Sequence, residues 1–177
     1  MPATSDLIRR AGEARRRGHL DEARRDLEAA VELLRGAEGP NELMRALGAL
    51  AHVERDLGRE DAARRLYEEA VTVGRERGAA PTALAHALRH LGDVHRDAGR
   101  TEEADPCLTE AVALYRDDRS SSELDVANAL RALALLREMQ GRPGPARALW
   151  TEARDGYRKL GIAAGAREAE GHLRYLR

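Results

Sequence analysis

The sequence predicts an all-α protein, a right-handed α-solenoid of four antiparallel helical hairpins followed by a C-terminal capping helix. Two observations carry this prediction: a composition that favours helix and an internal repeat of about 40 residues. Ala, Leu, Arg and Glu dominate the 177-residue chain, Phe is absent, and aromatic residues make up only 3%. Such a composition favours helix and supplies few of the aromatic residues that are typical of strands.

The length and charge of the chain limit the classes of function it can have. A chain of 177 residues fits one domain or one short repeat array, and we expect a single solenoid domain over residues 1–177. Its 30 basic and 31 acidic residues give a formal net charge of −1, without the positive excess typical of nucleic-acid-binding proteins. Any partner recognised by charge must therefore be recognised locally.

Three further observations favour a cytoplasmic protein. The start of the chain, Met1-Pro2-Ala3-Thr4-Ser5-Asp6, lacks the apolar run of a signal peptide. No apolar stretch is long enough to cross a bilayer. The single cysteine, Cys107, cannot form an internal disulfide. We therefore expect a cytoplasmic location and no membrane partner.

Glycines that could end a helix recur about every 40 residues and mark the repeat. They are Gly18, Gly58, Gly99 and Gly141. After each glycine come an alanine, a large residue and a second alanine at constant spacing, in the columns Ala23, Ala63, Ala104, Ala146; Leu27, Tyr67, Leu108, Trp150; and Ala30, Ala70, Ala111, Ala153. Before it come a leucine column and a small-residue column: Leu7, Leu47, Leu88, Leu130; and Ala11, Ala51, Gly92, Ala134. This agreement predicts four copies of one structural unit.

A hairpin of two helices explains the columns physically. Small residues let antiparallel helices approach closely, and the large residues, Tyr67 and Trp150 among them, fill the gaps around the crossing as core. Each glycine can adopt the left-handed conformation that ends the first helix, helix A, before helix B begins. Asp21 and Asp61 place negative charges at the positive end of the helix B dipole and so stabilise that helix. In repeat four, Pro143-Gly144-Pro145 instead stiffens the start of helix B.

The same signals give the bounds of the elements. We expect hairpins over residues 4–36, 40–77, 81–117 and 122–160. Helix starts are predicted at Pro40-Asn41, Pro81-Thr82 and Ser120-Ser121-Ser122. A last helix over 162–176 has an apolar face made of Ile162, Ala166, Ala169, Leu173 and Leu176. This helix should cover the apolar side of repeat four; the alternative is a helix through which two copies form a homodimer.

The order of small residue, glycine turn, alanine, large residue and alanine resembles the tetratricopeptide repeat (TPR) family over nearly the whole chain. The period exceeds the family's usual length of about 34 residues and is similar to that of the kinesin light chain subclass. Two strings also resemble that subclass: Glu103-Ala104-Asp105-Pro106 and Leu124-Asp125-Val126-Ala127-Asn128-Ala129-Leu130. Arg131 and Ala132 replace its paired asparagines, so its cargo specificity does not carry over. The resemblance implies a protein-binding scaffold rather than an enzyme, with no cofactor.

The resemblance also implies where such a scaffold binds. In TPR proteins the A helices line a concave groove, and four positions of each helix A face it. The candidate peptide-binding residues at these positions are Arg45, His52, Arg55, His86, Arg89, Asp93, Arg96, Asn128 and Arg131. Arginine outnumbers acids among the groove positions, and arginine forks can grip carboxylates bidentately. We therefore expect a basic groove that binds an acidic or carboxylate-bearing peptide, extended or helical.

Two alternatives remain open. In the first, Asp93 and Glu138 pair with Arg89, Arg96 or Arg131, so that the arginines serve structure rather than binding. In the second, the chain is a structural module that self-associates through its terminal helices, with the groove unused.

The sequence does not favour other kinds of site. His86, His90 and Asp93 have a spacing that could bring metal ligands together, but no second ligand pair supports them, and His90 is predicted to pack against the adjacent helix. Cys107 is predicted to be a small buried residue. The groove positions hold no aromatic residue for stacking on bases, and no nucleophile elbow or phosphate-binding loop is present in the sequence. We expect neither a metal nor a nucleic acid as ligand.

Overall fold

The computed structural model describes residues 3–36 and 39–176. Within these ranges the regular structure is helical, and no strand is present. The helices are α1 (Thr4–Arg16), α2 (Leu20–Arg35), α3 (Pro40–Asp56), α4 (Glu60–Glu76), α5 (Pro81–Asp97), α6 (Thr101–Asp117), α7 (Glu123–Met139), α8 (Pro143–Lys159) and α9 (Ala163–Tyr175). None of them combines the length and the hydropathy needed to cross a bilayer.

The helices pack as successive hairpins. Helix α1 packs on α2, α3 on α4 and α7 on α8, and Gly92 of α5 lies against Leu108 of α6 so closely that a Cβ atom there would come within 2.5 Å of its Cγ atom. In this hairpin the small residue of the column therefore sets how closely the two helices approach. The predicted all-α fold of helical hairpins is confirmed.

The chain divides into two compact units, one up to Ala87 and one from Leu88 onward. The first contains α1 to α4 and the beginning of α5; the second contains the rest of α5 and α6 to α9. The single domain expected over 1–177 stays a prediction, and it includes residues 1, 2, 37, 38 and 177, which lie outside the described ranges.

The four turn glycines adopt the left-handed conformation that the repeat requires. Their φ angles are 81°, 73°, 73° and 66° for Gly18, Gly58, Gly99 and Gly141. Helix B begins within two residues of each of them. A side chain at these positions would strain the backbone, so glycine is the residue that permits such a short connection.

The repeat columns form the core. The alanines of both helix B columns have no exposed surface, and the large residues between them are at most 2% exposed. Tyr67 and Trp150 are fully buried, which confirms their predicted place in the core. The prediction for Cys107 was wrong, because this residue is only half-buried. Its Cβ atom lies 3.4 Å from the position that a Cβ atom on Gly92 would take, so it lies at the contact between α5 and α6.

Helix starts follow the predicted signals. Helices α3, α5 and α8 begin at Pro40, Pro81 and Pro143, where the missing N–H group of proline costs no hydrogen bond. The Ser122 hydroxyl accepts a hydrogen bond from the Asp125 backbone N–H at 3.1 Å and caps α7.

Helix α9 caps the last hairpin. Ala169 packs into a buried cluster with Ala134, Ala146 and Trp150. Around this cluster lie partly buried leucines, namely Leu135, Leu149, Leu173 and Leu176. The predicted capping helix is confirmed, and it covers apolar surface that repeat four would otherwise expose.

Candidate functional site

The first unit contains a cavity of about 610 Å³ between α3 and the beginning of α5, named here the α3–α5 cavity. Three of the predicted groove residues line it together, namely Arg45, His52 and His86. The space exists because much of the remaining lining is small: Gly48, Ala49, Ala83 and Ala87. The repeat register thus brings three residues from two different A helices to the α3–α5 cavity.

Arg45 stands at the cavity with most of its side chain in solvent. The side chain is 64% exposed, and its ion pair with Glu42, one helical turn earlier, has a separation of 3.7 Å. An exposed pair of this kind contributes about 0.2–1 kcal/mol or less. A carboxylate from a partner can therefore replace Glu42 at little cost.

His52 is held in place by the core tyrosine of its own hairpin. The Tyr67 hydroxyl lies 3.3 Å from His52 Nδ1, and the two rings meet edge to face with centroids 5.9 Å apart. This orientation fixes the imidazole at a position where it also lines a second cavity. Sequence reasoning assigned Tyr67 to the core and did not anticipate that its hydroxyl would position a groove residue.

The second cavity, of about 320 Å³, lies between α1 and α3 and is mostly charged. Arg15 donates two hydrogen bonds to the Asp56 carboxylate, at 2.5 and 3.3 Å. This contact holds the pKa of Asp56 below its usual value. Arg55 lies 3.9 Å from Glu60. This cavity is lined by two arginines and one histidine against two carboxylates, whereas the α3–α5 cavity is lined by one arginine and two histidines against one carboxylate.

In the second unit, Asp93 pairs with two of the predicted groove arginines. Its carboxylate lies 3.4 Å from Arg89 and 2.5 Å from Arg96. All three side chains are largely buried, with 14%, 14% and 11% exposure for Arg89, Asp93 and Arg96. This is the internal pairing that the sequence left open as an alternative, and it leaves little arginine surface for a ligand.

Arg131 is paired as well, with a residue that the sequence did not indicate. Its Nε and Nη2 atoms donate to the Glu168 carboxylate of α9 at 2.7 and 2.6 Å. The hydrogen bonds from Arg131 hold the pKa of Glu168 below its usual value and raise the pKa of Arg131. Glu138, one of the two acids that the sequence offered as partners of the groove arginines, instead accepts from the Trp150 indole N–H and lies 2.9 Å from His172 Nδ1.

Asn128 and His90 also have partners within the second unit. The Tyr157 hydroxyl donates to Asn128 Oδ1 at 2.8 Å. His90 is buried, and its Nε2 lies 2.7 Å from Arg89 Nη2, which agrees with the packing role predicted for it. Among the described residues, no three His, Cys, Asp or Glu side chains are grouped to hold a metal ion.

A separate network in the second unit joins α6 to α7. The Asp105 carboxylate accepts from the Arg137 guanidinium, at 3.0 Å in one of two contacts, and from the Gln140 amide at 2.9 Å. The Arg137 hydrogen bond, assisted by Gln140 and Thr109, lowers the pKa of Asp105 far below its usual range. These contacts fix the two helices to each other and involve none of the predicted groove residues.

The sequence profile described as tetratricopeptide repeat matches residues 7–76 and 83–159. The chain belongs to the tetratricopeptide repeat family. TPR domains bind other proteins, and their fold is typically a scaffold without catalytic activity. Among curated proteins, none matches the sequence significantly.

Solved structures share the fold at low sequence identity. BtubC (BKLC) from P. vanneervenii has a TM-score of 0.72 and 18% identity, over 94% of this chain and 76% of that protein. Aspartyl phosphate phosphatase F from Bacillus subtilis has a TM-score of 0.81 and 15% identity, over 94% of this chain but only 43% of the phosphatase.

A kinesin light chain-like protein from Podosopora anserina with nearly identical TPR-like repeats has a TM-score of 0.62 and 18% identity. The match covers 99% of this chain and 97% of that protein. The similarity to the kinesin light chain subclass that the sequence predicted is confirmed at the level of fold. Identities this low carry neither partner nor activity from one protein to another.

Proposed function

We propose that this TPR protein is a scaffold that binds an acidic or carboxylate-bearing segment of another protein, with the α3–α5 cavity as its principal site. The observation that carries the proposal is the meeting of Arg45, His52 and His86 around one open cavity. A guanidinium and two imidazoles around small residues offer hydrogen-bond donors for carboxylates and room for a backbone.

Exposure and charge both support this choice of site. Arg45 faces solvent and has only a weak contact with Glu42, so its charge can act on an incoming ligand. Glu42 is the one acidic residue among those that line the α3–α5 cavity in the described part of the chain. The lining thus contains three basic side chains, Arg45, His52 and His86, against one acidic side chain.

The groove arginines of the second unit are not the principal site in this proposal. Arg96 and Arg131 are engaged by carboxylates of the same unit, through contacts of 2.5 to 2.7 Å. Binding by Arg89, Asp93, Arg96, Asn128, Arg131 and, in the first unit, Arg55 stays a prediction. For the paired arginines, a ligand must first displace an internal acid.

The proposal is tested by binding of a simple acidic peptide. Fluorescein-labelled hexaglutamate is titrated with the full chain at low salt and followed by fluorescence anisotropy, with hexaglutamine as the uncharged reference. We expect hexaglutamate to bind more tightly, and Arg45→Glu to weaken binding about tenfold, because an attractive charge becomes a repulsive one. Added salt should weaken binding by the unaltered chain.

The matched control is Arg25→Glu, which makes the same charge change at an exposed position of α2. It should change affinity less than about twofold. Equal losses in both variants would show a general charge effect, and equal binding of hexaglutamate and hexaglutamine would show that no acidic site exists. Either result would overturn the proposal.

Self-association through α9 is the second candidate function. One observation favours it: Tyr175, at the end of α9, is 89% exposed, the largest exposure among the large hydrophobic residues described. A homodimer formed there should survive high salt and be lost in Tyr175→Asp. Sedimentation velocity of both proteins at several concentrations decides this candidate without reference to peptide binding.

A further inference from the structure

The α3–α5 cavity and the charged cavity between α1 and α3, named here the α1–α3 cavity, share one residue. His52 lines both of them. Both cavities belong to the first unit, and helix α3 contributes residues to each. A ligand that extends from one cavity into the other therefore passes over His52. The two cavities are parts of one surface along α3.

Helix geometry fixes the distance between the two arginines that α3 places at these cavities. Arg45 lines the α3–α5 cavity, and Arg55 lines the α1–α3 cavity. With His52 they lie within about 80° of one another around the helix axis, so the three residues share one face of α3. A rise of about 1.5 Å per residue over ten residues separates the two arginines by about 15 Å along the axis.

Each of these arginines lies beside a glutamate at a distance longer than a hydrogen bond. Arg45 is 3.7 Å from Glu42, and Arg55 is 3.9 Å from Glu60. Both glutamate side chains are well exposed. The argument made for Arg45 thus applies to Arg55 as well, and a ligand carboxylate can replace either glutamate at little cost.

The other arginine of the α1–α3 cavity is held differently. Arg15 donates two hydrogen bonds to the Asp56 carboxylate, at 2.5 and 3.3 Å. A ligand would have to break this bidentate contact to reach the Arg15 guanidinium. Arg55, whose side chain is 30% exposed, is therefore the arginine that a carboxylate meets in this cavity.

We propose that the acidic partner segment is extended and carries two acidic residues four positions apart, one bound at Arg45 and the other at Arg55. This description of the ligand rests on the proposed function. An extended chain rises about 3.3 Å per residue and turns alternate side chains to the same side. Residues i and i+4 therefore place two carboxylates about 13 Å apart on one side, and the long side chains of arginine and glutamate cover the difference from 15 Å.

A helical ligand matches this surface less well. A helix is about 10–12 Å wide, so a 15 Å length of it occupies on the order of 1,000 Å³, more than the α3–α5 cavity of about 610 Å³. An extended segment is thinner, since neighbouring extended chains lie only about 4.8 Å apart. On a helix, moreover, two carboxylates about 16 Å apart on one face lie eleven positions apart, not four.

Peptides of equal charge and different glutamate spacing test the proposal. Fluorescein-labelled peptides of serine and threonine, with blocked termini, carry two glutamates that are two or four positions apart. Anisotropy titrations with the full chain at low salt compare the two. We expect the peptide with spacing four to bind about three to five times more tightly, because it alone can reach both arginines and a second exposed ion pair adds about this much.

Two variants isolate the second contact. Arg55→Gln should remove the preference for spacing four and leave binding of the spacing-two peptide within about twofold of its original value. Its matched control is Arg65→Gln, which removes the same charge at an exposed position of α4 and should keep the preference. Glu60→Gln removes the carboxylate that competes for Arg55 and should increase the preference, a gain that a misfolded variant cannot produce.

The results that would overturn the proposal differ from those that would overturn the proposed function. If hexaglutamate binding depends on Arg45 but both spacings bind equally, or the preference survives Arg55→Gln, the second contact is wrong and the proposed function stands. Alanine-rich helical peptides with glutamates four or eleven positions apart provide the other comparison, and tighter binding of spacing eleven than of any extended peptide would rule out an extended ligand. If neither hexaglutamate nor the paired-glutamate peptides bind, the proposed function and the proposal fail together.

Discussion

The α3–α5 cavity of the first unit and the α7–α9 contact of the second show two outcomes for the same kind of residue. Arg45 and Arg131 are both groove-position arginines of a helix A, yet the first faces solvent and the second donates two short hydrogen bonds to Glu168. A position in the repeat therefore determines where a side chain lies. Whether that side chain can bind a ligand depends on what the neighbouring A helix places beside it.

Small side chains and acidic side chains account for the difference. Next to Arg45, the neighbouring helix α5 presents Ala83 and Ala87, which leave a cavity. Next to Arg131, the neighbouring helix α9 presents Glu168, whose carboxylate accepts the hydrogen bonds of Arg131. Displacing α9 and changing single charges test this explanation.

The largest effect is expected from displacing α9. Ala169 has no exposed surface and lies in the cluster around Trp150, so Ala169→Glu would bury a charge without a partner and should cost about 3 kcal/mol or more. Undocking removes Glu168 from Arg131 and should raise the affinity for hexaglutamate. Trp150 is the only tryptophan of the chain, so its fluorescence reports the undocking directly.

Ala164→Glu is the matched control, because Ala164 lies on the same helix but is exposed. It should leave both the fluorescence of Trp150 and the melting temperature close to those of the unaltered chain. Identical behaviour of the two variants would mean that α9 does not cap the second unit in solution.

A smaller effect is expected from the Glu168 charge, and it depends on pH. The Arg131 hydrogen bond holds the pKa of Glu168 below its usual 4.5, so the pair stabilises the fold above that pH and the contribution is lost as the pH falls. Glu168→Gln should cost about 1 kcal/mol at pH 7, since the pair is partly exposed, and less as the solution is acidified. Urea unfolding at pH 7 and pH 3.5 measures both values.

Glu102→Gln serves as the control for this prediction, since Glu102 is exposed in the first turn of α6. Its free energy of unfolding should change by less than about 0.5 kcal/mol at either pH. A loss in Glu168→Gln that stays constant between the two pH values would contradict a role for the Glu168 charge.

The smallest effect is expected at Arg45. Because its pair with Glu42 is exposed and long, Arg45→Ala should change the free energy of unfolding by less than about 0.5 kcal/mol, whereas Arg131→Ala should cost about 1 kcal/mol or more. Chemical denaturation of the two variants compares them directly. Equal losses would remove the distinction between an available and an engaged arginine.

The sequence predicted most of the fold because the fold depends on local chemistry. Turn glycines such as Gly58 and buried alanines such as Ala63 are visible as residue types at fixed spacing, and each has one structural role. The same register correctly brought Arg45 and His86 to one cavity.

The pairing of charges could not be predicted in the same way. Glu168 lies on the last helix, outside the four repeat columns, and its reach to Arg131 depends on how α9 docks. Glu138, one of the two acids that the sequence offered as partners, instead contacts the Trp150 indole and His172. In the sequence, the only signal for this pair was an acidic residue on the face of α9. That signal gave no way to choose among several acids as the partner of Arg131.

The central claim is that an acidic segment binds at the α3–α5 cavity, and backbone NMR of the ¹⁵N-labelled chain tests it most directly. During a hexaglutamate titration at low salt, we expect the largest amide shift changes at residues 41–52 and 82–87, and Arg45→Glu should need about tenfold more peptide to reach the same changes. Shift changes confined to the B helices, scattered over the whole chain or unaltered by Arg45→Glu would contradict the claim.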